Sequence, residues 1–457
     1  MLLKNTFDQH PSLRYIFEKM QFFSSLGHYA MLNSEMMTDK VEIENALSEL
    51  EQIVVLLKDA GNKRDFLQIG KNIHLINNII PTLQLLRTGA VMDDIQLFEI
   101  KKSAIYINNI AAIVDKLGLP WMNFSDMAKV IAILDPENTK IPHFYVYSVY
   151  SQQLGEVRAA IENCTDATQR ESLRFEEQKI EEDVRKMLSD KLLPFAGDIE
   201  ENILKVAKMD ILLAKARLAI DTSSCKPSIT GRHCFKNLVN LSVADTLAKS
   251  GRRFQPVNIS FGNETVLITG ANMGGKSVLL QTVAMAQFLC QFGFFIPAET
   301  AETAVYDDVM CSFGDRQSAQ SGLSSFAVEI LTIDNIIKAA KSGRRVLAVV
   351  DELARTTNPD EGRLLVNGFL RTARKLSLTT IVTTHYSGIN TADRKLRVRG
   401  LQIPENVGTL STSHISDYMD YSLTEVDDDD VPKEAFAIAR LLHVDDDFID
   451  ECTKNRY

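Results

Sequence analysis

The chain lacks an excess of basic residues. Lys and Arg together number 50 and Asp and Glu number 60 in 457 residues, so the formal net charge is −10. Proteins that bind duplex DNA take much of their affinity from neutralising phosphates and usually present a basic face. The acidic balance therefore argues against tight, non-specific DNA binding, although it leaves room for a local basic patch.

Paired cysteines are also missing. None of the six forms a CxxC motif, and His233 beside Cys234 is not a ligand set by itself, so neither a zinc site nor a disulfide framework is expected. Free thiols in a reducing cytosol are the better interpretation. The cysteines are Cys164, Cys225, Cys234, Cys290, Cys311 and Cys452.

No long hydrophobic run is present. The most apolar stretch, residues 283–297, is interrupted by Gln287 and Gln291 and is too short to span a bilayer. Residues 1–9 are charged and no apolar core follows them, so a signal peptide is not predicted. We therefore expect a cytoplasmic protein that does not contact a membrane.

Glycine and proline are sparse, at 22 and 12 residues, which argues against long disordered tracts. Hydrophobic residues make up 45% of the chain and charged residues 24%, as is typical of soluble globular proteins. The length exceeds that of a single core and predicts about two to four domains.

Residues 1–225 are predicted to be helical, and their clearest feature is a helical hairpin at about residues 145–193. Positions recur at alternating steps of three and four on both sides of the polar stretch 165–171, and Pro194 ends the second run. This spacing predicts two packed helices of ~20 residues each, about 30 Å long. An ordinary antiparallel pair and a functional lever both fit it. The recurring positions are Tyr147, Tyr150, Leu154, Val157, Ile161, Cys164, Leu173, Ile180, Val184, Met187 and Lys191.

Residues 226–457 have a different pattern. Short β-rich runs at Thr265–Thr269, residues 345–350 and Thr379–Thr383 alternate with helical segments, which predicts an α/β domain with a mostly parallel sheet. The last two runs are almost wholly apolar or β-branched, as expected of central strands buried on both faces.

The strongest motif is GANMGGKS at residues 270–277, which matches the P-loop pattern GxxxxGK[ST] at every fixed position. A predicted strand precedes it and a predicted helix follows it. Glycines let backbone N–H groups converge on phosphates, and the helix N-terminus adds positive potential. We expect Lys276 to reach the β- and γ-phosphates of ATP and the Ser277 hydroxyl to bind Mg²⁺. The predicted nucleotide-binding residues of the loop are Gly270, Ala271, Asn272, Met273, Gly274, Gly275, Lys276 and Ser277.

Two further motifs end predicted strands. Asp351 and Glu352 follow an apolar run, as in a Walker B element, where Asp351 would hold Mg²⁺ and Glu352 would act as the general base. His385 follows the next strand and could contact the γ-phosphate or order the attacking water. We predict Glu352, His385 and Lys276 as the catalytic residues of an ATPase.

These motifs resemble those of the MutS superfamily of ATPases. Residues 269–277 are similar to the family's TGPNMGGKS, with Ala271 in place of proline. Residues 351–357 and 360–362 are similar to its Walker B and D-loop stretch, and residues 384–386 match its THY. The sequence FGDRQS at residues 313–318 is similar to a bacterial branch of the family that suppresses recombination.

The resemblance implies a multidomain fold. It places an α-helical core and lever domain at residues 1–225, followed by an α/β P-loop ATPase domain of the ABC type at residues 226–457. Residues 435–456 resemble the family's terminal helix pair, a dimerisation element. No counterpart of the mismatch-reading domain is seen before the core domain, so mismatch recognition is not expected.

The resemblance also implies ATP sites shared between subunits of a homodimer or of a MutS-like heterodimer. Residues 321–326, with Glu329, are similar to SGRSTFxxE, which in the family reaches the neighbouring subunit's ATP. Ser324 would be the residue that acts on the partner's nucleotide. Phe254 and Asn258 fall where the family approaches the base and the ribose.

Two functions stay open at this point. The first is a dimeric ATPase that acts on duplex or branched DNA. For this function the hairpin offers only five basic residues, mixed with as many acids or more: Arg170, Arg174, Lys179, Arg185 and Lys186. The second is an ATP-driven factor that remodels or reactivates a metabolic enzyme, since some shortened MutS-like proteins are thought to serve enzymes such as aminomutases.

Overall fold

The computed structural model describes residues 1–139, 141–271, 274–314, 325–402, 418–427, 439 and 444–454. None of the helices within these ranges combines the length and apolar character that a membrane span requires. The predicted helix at residues 435–442 lies almost wholly outside the described residues.

The chain divides into two compact units. One comprises Met1–Met20, Ser34–Glu51 and Leu218–Tyr457, and the other comprises Gln21–Asn33 and Gln52–Arg217. The sequence predicts a boundary after residue 225, and the contacts within the chain group the two N-terminal segments with the α/β unit. The spacing of apolar residues shows which face of a helix is buried but not which partner covers it.

The described residues contain long α-helices and short 3-10 turns, the latter at Leu3–Thr6, Ala60–Asn62, Ser148–Tyr150 and Leu193–Phe195. In chain order the α-helices are α1 (Pro11–Lys19), α2 (Ser25–Leu32), α3 (Lys40–Lys58), α4 (Lys63–His74), α5 (Ile80–Arg87), α6 (Asp94–Lys116), α7 (Ala128–Leu134), α8 (Gln152–Asn163), α9 (Ala167–Leu192), α10 (Ala196–Asp221), α11 (Leu241–Lys249), α12 (Lys276–Gln291), α13 (Ser325–Lys341), α14 (Pro359–Lys375) and α15 (Asp446–Lys454).

In the helical unit, α6 shows how local sequence sets a helix start. The Asp93 side chain accepts a hydrogen bond from the Gln96 backbone N–H, and the Gln96 side chain accepts one from the Asp93 N–H, which together form a capping box. Leu97, Ile100 and Ile107 of this helix are fully buried at helical spacing.

The predicted hairpin is present as α8 and α9, but its first arm has 12 residues instead of ~20. Ser151 adopts an extended backbone, and its hydroxyl accepts the Leu154 N–H, so the helix starts there. Tyr147 and Tyr150 therefore precede the helix, although Tyr147 is buried as predicted. The turn is also shorter than predicted, because Asp166 caps α9 by accepting the Gln169 N–H.

The α/β unit holds two sheets. A six-stranded sheet has the order β10-β9-β4-β8-β7-β6, in which all neighbours are parallel except the edge strand β10. A four-stranded sheet has the order β1-β5-β2-β3. The strands are β1 (Ser228–Ile229), β2 (His233–Leu238), β3 (Val257–Phe261), β4 (Thr265–Thr269), β5 (Thr300–Thr303), β6 (Asp308–Ser312), β7 (Val346–Val350), β8 (Thr379–Thr383), β9 (Arg394–Leu401) and β10 (Met419–Glu425).

The three predicted strands lie together at the centre of the larger sheet. Every residue of β4, β7 and β8 is buried, which confirms the expectation drawn from their apolar and β-branched content. Helix α14 covers one face with Val366, Phe369 and Leu370. This packing brings the carboxyl ends of three parallel strands to one edge.

Candidate functional site

The candidate site lies at the carboxyl edge of the six-stranded sheet. Strand β8 is hydrogen-bonded to β4 on one side and to β7 on the other. The residues that follow these three strands are therefore neighbours, at the edge where open α/β sheets bind ligands. The structure thus brings together the glycine loop, the Asp351–Glu352 pair and His385, which the sequence placed at separate strand ends.

The glycine loop leads directly into α12. Gly275 caps the helix with a φ of 71°, in the left-handed region that favours glycine, and a Cβ there would meet the Tyr421 ring at 2.9 Å. A Cβ on Gly274 would approach the Ala271 carbonyl oxygen at 3.0 Å. The loop can therefore keep this close fit only with glycine at these positions. Asn272 and Met273 lie outside the described residues.

Lys276 is buried at the first position of α12. Its Nζ donates to the carbonyl oxygens of Gly270 and Ala271, each at 2.9 Å, and lies 3.7 Å from Glu352 Oε1. Ser277, the next residue, is exposed. An ammonium group surrounded by loop carbonyls and one carboxylate suits the binding of an anionic group at the helix N-terminus.

Thr383, the last residue of β8, links the two acidic residues. Its hydroxyl donates to Asp351 Oδ1 at 2.7 Å and accepts the Glu352 N–H at 2.9 Å. Asp351 is further held by its backbone N–H, which donates to the Ser312 carbonyl at 2.8 Å. The sequence did not single out Thr383 for this task, although it lay at the end of a predicted strand.

His385 lies near the charged groups of the site. Burial lowers the pKa of His385, and the positive charges of Lys276 and Arg355 lower it further, while the carboxylate of Glu352 acts in the opposite direction. The imidazole is therefore neutral near pH 7, with one N–H to donate and one nitrogen to accept.

A pocket of about 250 Å³ adjoins the loop at Gly274 and Gly275. Phe254 lines it, whereas the exposed Asn258 does not, and the Asn258 side chain accepts the backbone N–H of Asn237. Sequence reasoning missed other lining residues, although the run of Arg252 and Arg253 before Phe254 was a visible signal. They are Val243, Leu247, Arg252, Arg253, Gln255, Val257, Val278, Leu279 and Tyr421.

Ser324 lies outside the described residues. Glu329, from the same motif, is on α13, and its Oε1 accepts the Ala354 N–H at 2.9 Å. Ala354 belongs to the turn that follows Glu352, so this part of the motif contacts the chain's own site.

Comparison with known proteins finds a family match for part of the chain. Residues 266–415 match the family model "MutS domain V". The endonuclease MutS2 of Halothermothrix orenii is 34% identical over 225 residues, 47% of this chain and 27% of that protein. The endonuclease MutS2 of Finegoldia magna is 31% identical over 283 residues, 60% of this chain and 34% of that protein.

The matched stretch spans about a third or less of these relatives. The family model, at residues 266–415, includes the glycine loop, the Asp351–Glu352 pair and His385. This match and the related proteins show that residues 266–415, which hold the site, are similar to MutS domain V.

Proposed function

We propose that the α/β unit is a Mg²⁺-dependent ATPase that converts ATP and water to ADP and phosphate. The observation that carries the proposal is the placement of Lys276 at the glycine loop, 3.7 Å from Glu352 at the end of β7. A phosphate-binding cation and a candidate general base thus share one edge of the sheet, as hydrolysis of a nucleotide requires.

The donor set fits magnesium. Mg²⁺ prefers oxygen ligands and is usually held by one or two carboxylates together with phosphates and water. Asp351 and the Ser277 hydroxyl are such ligands, and within the described residues no cluster of three or more His, Cys, Asp or Glu could bind a metal alone. Bound there, the ion neutralises charge on the phosphates.

The chain's own groups have distinct tasks in this proposal. Lys276 binds the phosphate oxygens, and Glu352 takes the proton of the water that attacks the γ-phosphorus as the bond to the β-phosphate oxygen breaks. Neutral His385 orders that water or donates to a γ-phosphate oxygen. Thr383 keeps the carboxylate of Asp351 directed toward the site.

We further propose composite sites in a homodimer, or in a heterodimer with another MutS-like chain, in which Ser324 contacts the partner's nucleotide. Ser324→Ala should then lower turnover only where dimers form. Mixing it with Lys276→Ala tests this, because each mixed dimer carries one site with both residues intact. Mixtures that show only the averaged activity of the two variants would argue against shared sites.

Substitution of the general base tests the chemistry. Glu352→Gln should bind ATP as the parent does but hydrolyse it at least ~100-fold more slowly, since only the proton acceptor is removed. Single-turnover hydrolysis and nucleotide binding measure the two steps separately. Hydrolysis at the parent rate would refute the assignment of Glu352.

The target is proposed to be duplex or branched DNA, on the strength of relatives that are named endonucleases. Their endonuclease activity is not proposed for this chain, because the match covers about a third of each relative. Fluorescence anisotropy with duplex and junction DNA, with and without ATP, tests the target. Binding weaker than ordinary non-specific affinity at moderate salt would contradict it.

One observation favours the alternative, an ATP-driven factor that acts on a metabolic enzyme such as an aminomutase. Residues 152–192 of the hairpin contain ten acidic and seven basic residues. Arg158 lies 2.7 Å from Glu177 and from Glu181, and Arg185 lies 2.8 Å from Asp94. These arginines are already neutralised by acids, which weakens the hairpin as a phosphate-binding surface.

The alternative has its own test. The tagged protein with Glu352→Gln, which should retain ATP, is used to capture clients from native lysate, and the parent protein serves as the control. A metabolic enzyme that is retained by the variant and released from the parent on ATP addition would support this function. Absence of such an enzyme would leave DNA as the target.

A further inference from the structure

The turn that follows β7 has an unusual backbone. Glu352 has a φ of 48° and Ala354 a φ of 64°, and neither is glycine. Residues with a Cβ rarely adopt this left-handed conformation, and they keep it only where surrounding contacts enforce it. The contacts that hold this turn therefore help to place the side chain of Glu352.

Both backbone groups of Ala354 are bound by side chains from other elements. Its N–H donates to Glu329 Oε1 on α13 at 2.9 Å, and its carbonyl accepts the Tyr386 hydroxyl at 2.6 Å. Ala354 is fully buried, so these groups have no access to water. A Cβ at Gly362 would overlap the Tyr386 hydroxyl, and glycine at that position permits the approach of the tyrosine.

The same turn is tied to Glu352. The Glu352 N–H is fixed by Thr383, and its carbonyl accepts the Arg355 N–H at 3.1 Å. Its carboxylate lies between Lys276, at 3.7 Å, and Arg355, at 3.5 Å. A change of backbone angle at Ala354 would therefore move Arg355 and, with it, the carboxylate of Glu352.

We propose that Glu329 is a positioning residue for hydrolysis, which keeps Ala354 in the left-handed conformation and thereby holds Glu352 where it can accept the proton of water. This inference rests on the proposed ATPase function. Glu329 acts as a hydrogen-bond acceptor, and its carboxylate takes no proton from water during the reaction.

The charge of Glu329 is not needed for this task. Burial raises the pKa of Glu329, and the nearby Asp351 raises it too, while the Ala354 N–H and the charge of Arg355 lower it. A glutamine has the same length and a neutral carbonyl oxygen that can accept the same N–H. Alanine has no acceptor and would leave the Ala354 N–H unpaired.

The test compares Glu329→Ala and Glu329→Gln with the control Asp334→Asn, which changes a half-exposed residue of the same helix that pairs with Lys338. Glu329→Ala should lower kcat at least about tenfold and change KM less than about twofold, since Glu352 is displaced while the glycine loop is intact. Glu329→Gln and Asp334→Asn should stay within about twofold of the parent kcat.

A rescue separates positioning from a general loss of structure. Ala354→Gly adopts a positive φ without a side-chain clash. Adding Glu329→Ala to Ala354→Gly should therefore lower kcat less than about threefold, far less than in the parent background. If Glu329→Ala does not fold, Tyr386→Phe, which removes the other contact to Ala354, is compared in the same two backgrounds.

The outcomes are distinguishable. An equal loss in Glu329→Gln and Glu329→Ala would show that the carboxylate's charge or proton matters, and would overturn the positioning role. So would a parent-like kcat in Glu329→Ala, or a failure of Ala354→Gly to reduce its effect. If the parent itself hydrolyses no ATP, the proposed function fails, and this inference fails with it.

Discussion

Two buried lysines lie in different surroundings. Lys101 in the helical unit is fully buried, and its Nζ donates to Asp135 at 3.0 Å, to the His143 carbonyl at 2.8 Å and to the Tyr147 hydroxyl at 3.2 Å. Lys276 in the α/β unit is almost as buried, and its Nζ lies 3.7 Å from the carboxylate of Glu352.

These surroundings fit a structural role for Lys101 and the proposed phosphate-binding role for Lys276. A buried ammonium must recover the free energy of its lost hydration, and Lys101 does so through a carboxylate at hydrogen-bonding distance and two further acceptors. Lys276 donates to two loop carbonyls and lies 3.7 Å from Glu352 Oε1. It stands at the N-terminus of α12, where the proposed phosphate would bind, whereas Lys101 is enclosed by its own acceptors.

Substitution of Lys101 should have the largest effect on stability. Lys101→Met leaves the buried carboxylate of Asp135 without its cation and should lower the free energy of unfolding by about 3–5 kcal/mol. Denaturant unfolding followed by circular dichroism measures the loss. The partly exposed neighbour Lys102→Met is the control and should change stability by less than about 1 kcal/mol. Equal effects of the two substitutions would refute the distinction.

Substitution of Lys276 should give the opposite pattern, with a large effect on ATP binding and a small effect on stability. Lys276→Met should weaken ATP binding at least about 100-fold, or roughly 2.7 kcal/mol, because the cation that meets the phosphates is removed. Stability should fall by less than about 1 kcal/mol, since Glu352 is partly exposed and also lies near Arg355. Calorimetric titration with ATP and thermal melting measure the two effects, with the exposed Lys236→Met as the control.

Much of the α/β unit could be predicted because a strand buried on both faces requires an unbroken apolar or β-branched run. Strands β4 and β8 have the predicted bounds, and β7 begins one residue later than predicted. The packing of Met1–Met20 with this unit could not be predicted, because α1 has an apolar face that any helix or sheet could cover.

The site was predictable at the level of strand ends and unpredictable at the level of contacts between them. A motif reveals that Lys276 follows one strand and Glu352 another. It does not reveal that β8 lies between them, so the bridging role of Thr383 depended on the strand order. The Glu329–Ala354 contact likewise joins residues 25 positions apart.

A buried histidine differs from the two buried lysines, because it can stay neutral and so avoid the free-energy cost of a buried charge. His233 is fully buried, stacks on Phe261 with ring centroids 4.3 Å apart, and its Nε2 lies 2.9 Å from the Tyr306 hydroxyl. Burial lowers its pKa from 6.5 to about 3. The unfolded chain therefore binds a proton below pH 6.5 that the folded chain does not, and stability falls as the pH is lowered.

From pH 7 to pH 5 this histidine should cost about 2 kcal/mol of stability. His233→Gln, which cannot be protonated, should lose about 2 kcal/mol less than the parent over the same interval. Denaturant unfolding at several pH values measures the slope, and His74→Gln, at an exposed position, is the control. An unchanged slope in His233→Gln would show that other groups cause the acid sensitivity.

The smallest effect on stability is expected for an ion pair that is exposed to water. Lys19 of α1 lies 2.7 Å from Asp245 of α11, and the Tyr15 hydroxyl donates to the same carboxylate, but both charged side chains are about 40% exposed. The hydrogen bonds from Lys19 and Tyr15 lower the pKa of Asp245, so its contribution is present at neutral pH and is lost only as the pH falls through the acid range.

Asp245→Asn should lower stability at pH 7 by less than about 1 kcal/mol, and by less still at high salt, because the ion pair is screened. Glu18→Gln, which breaks the exposed pair with Arg14 on the same helix, is the matched control. A loss from Asp245→Asn as large as that from Lys101→Met would mean that burial does not decide what an ion pair contributes in this protein.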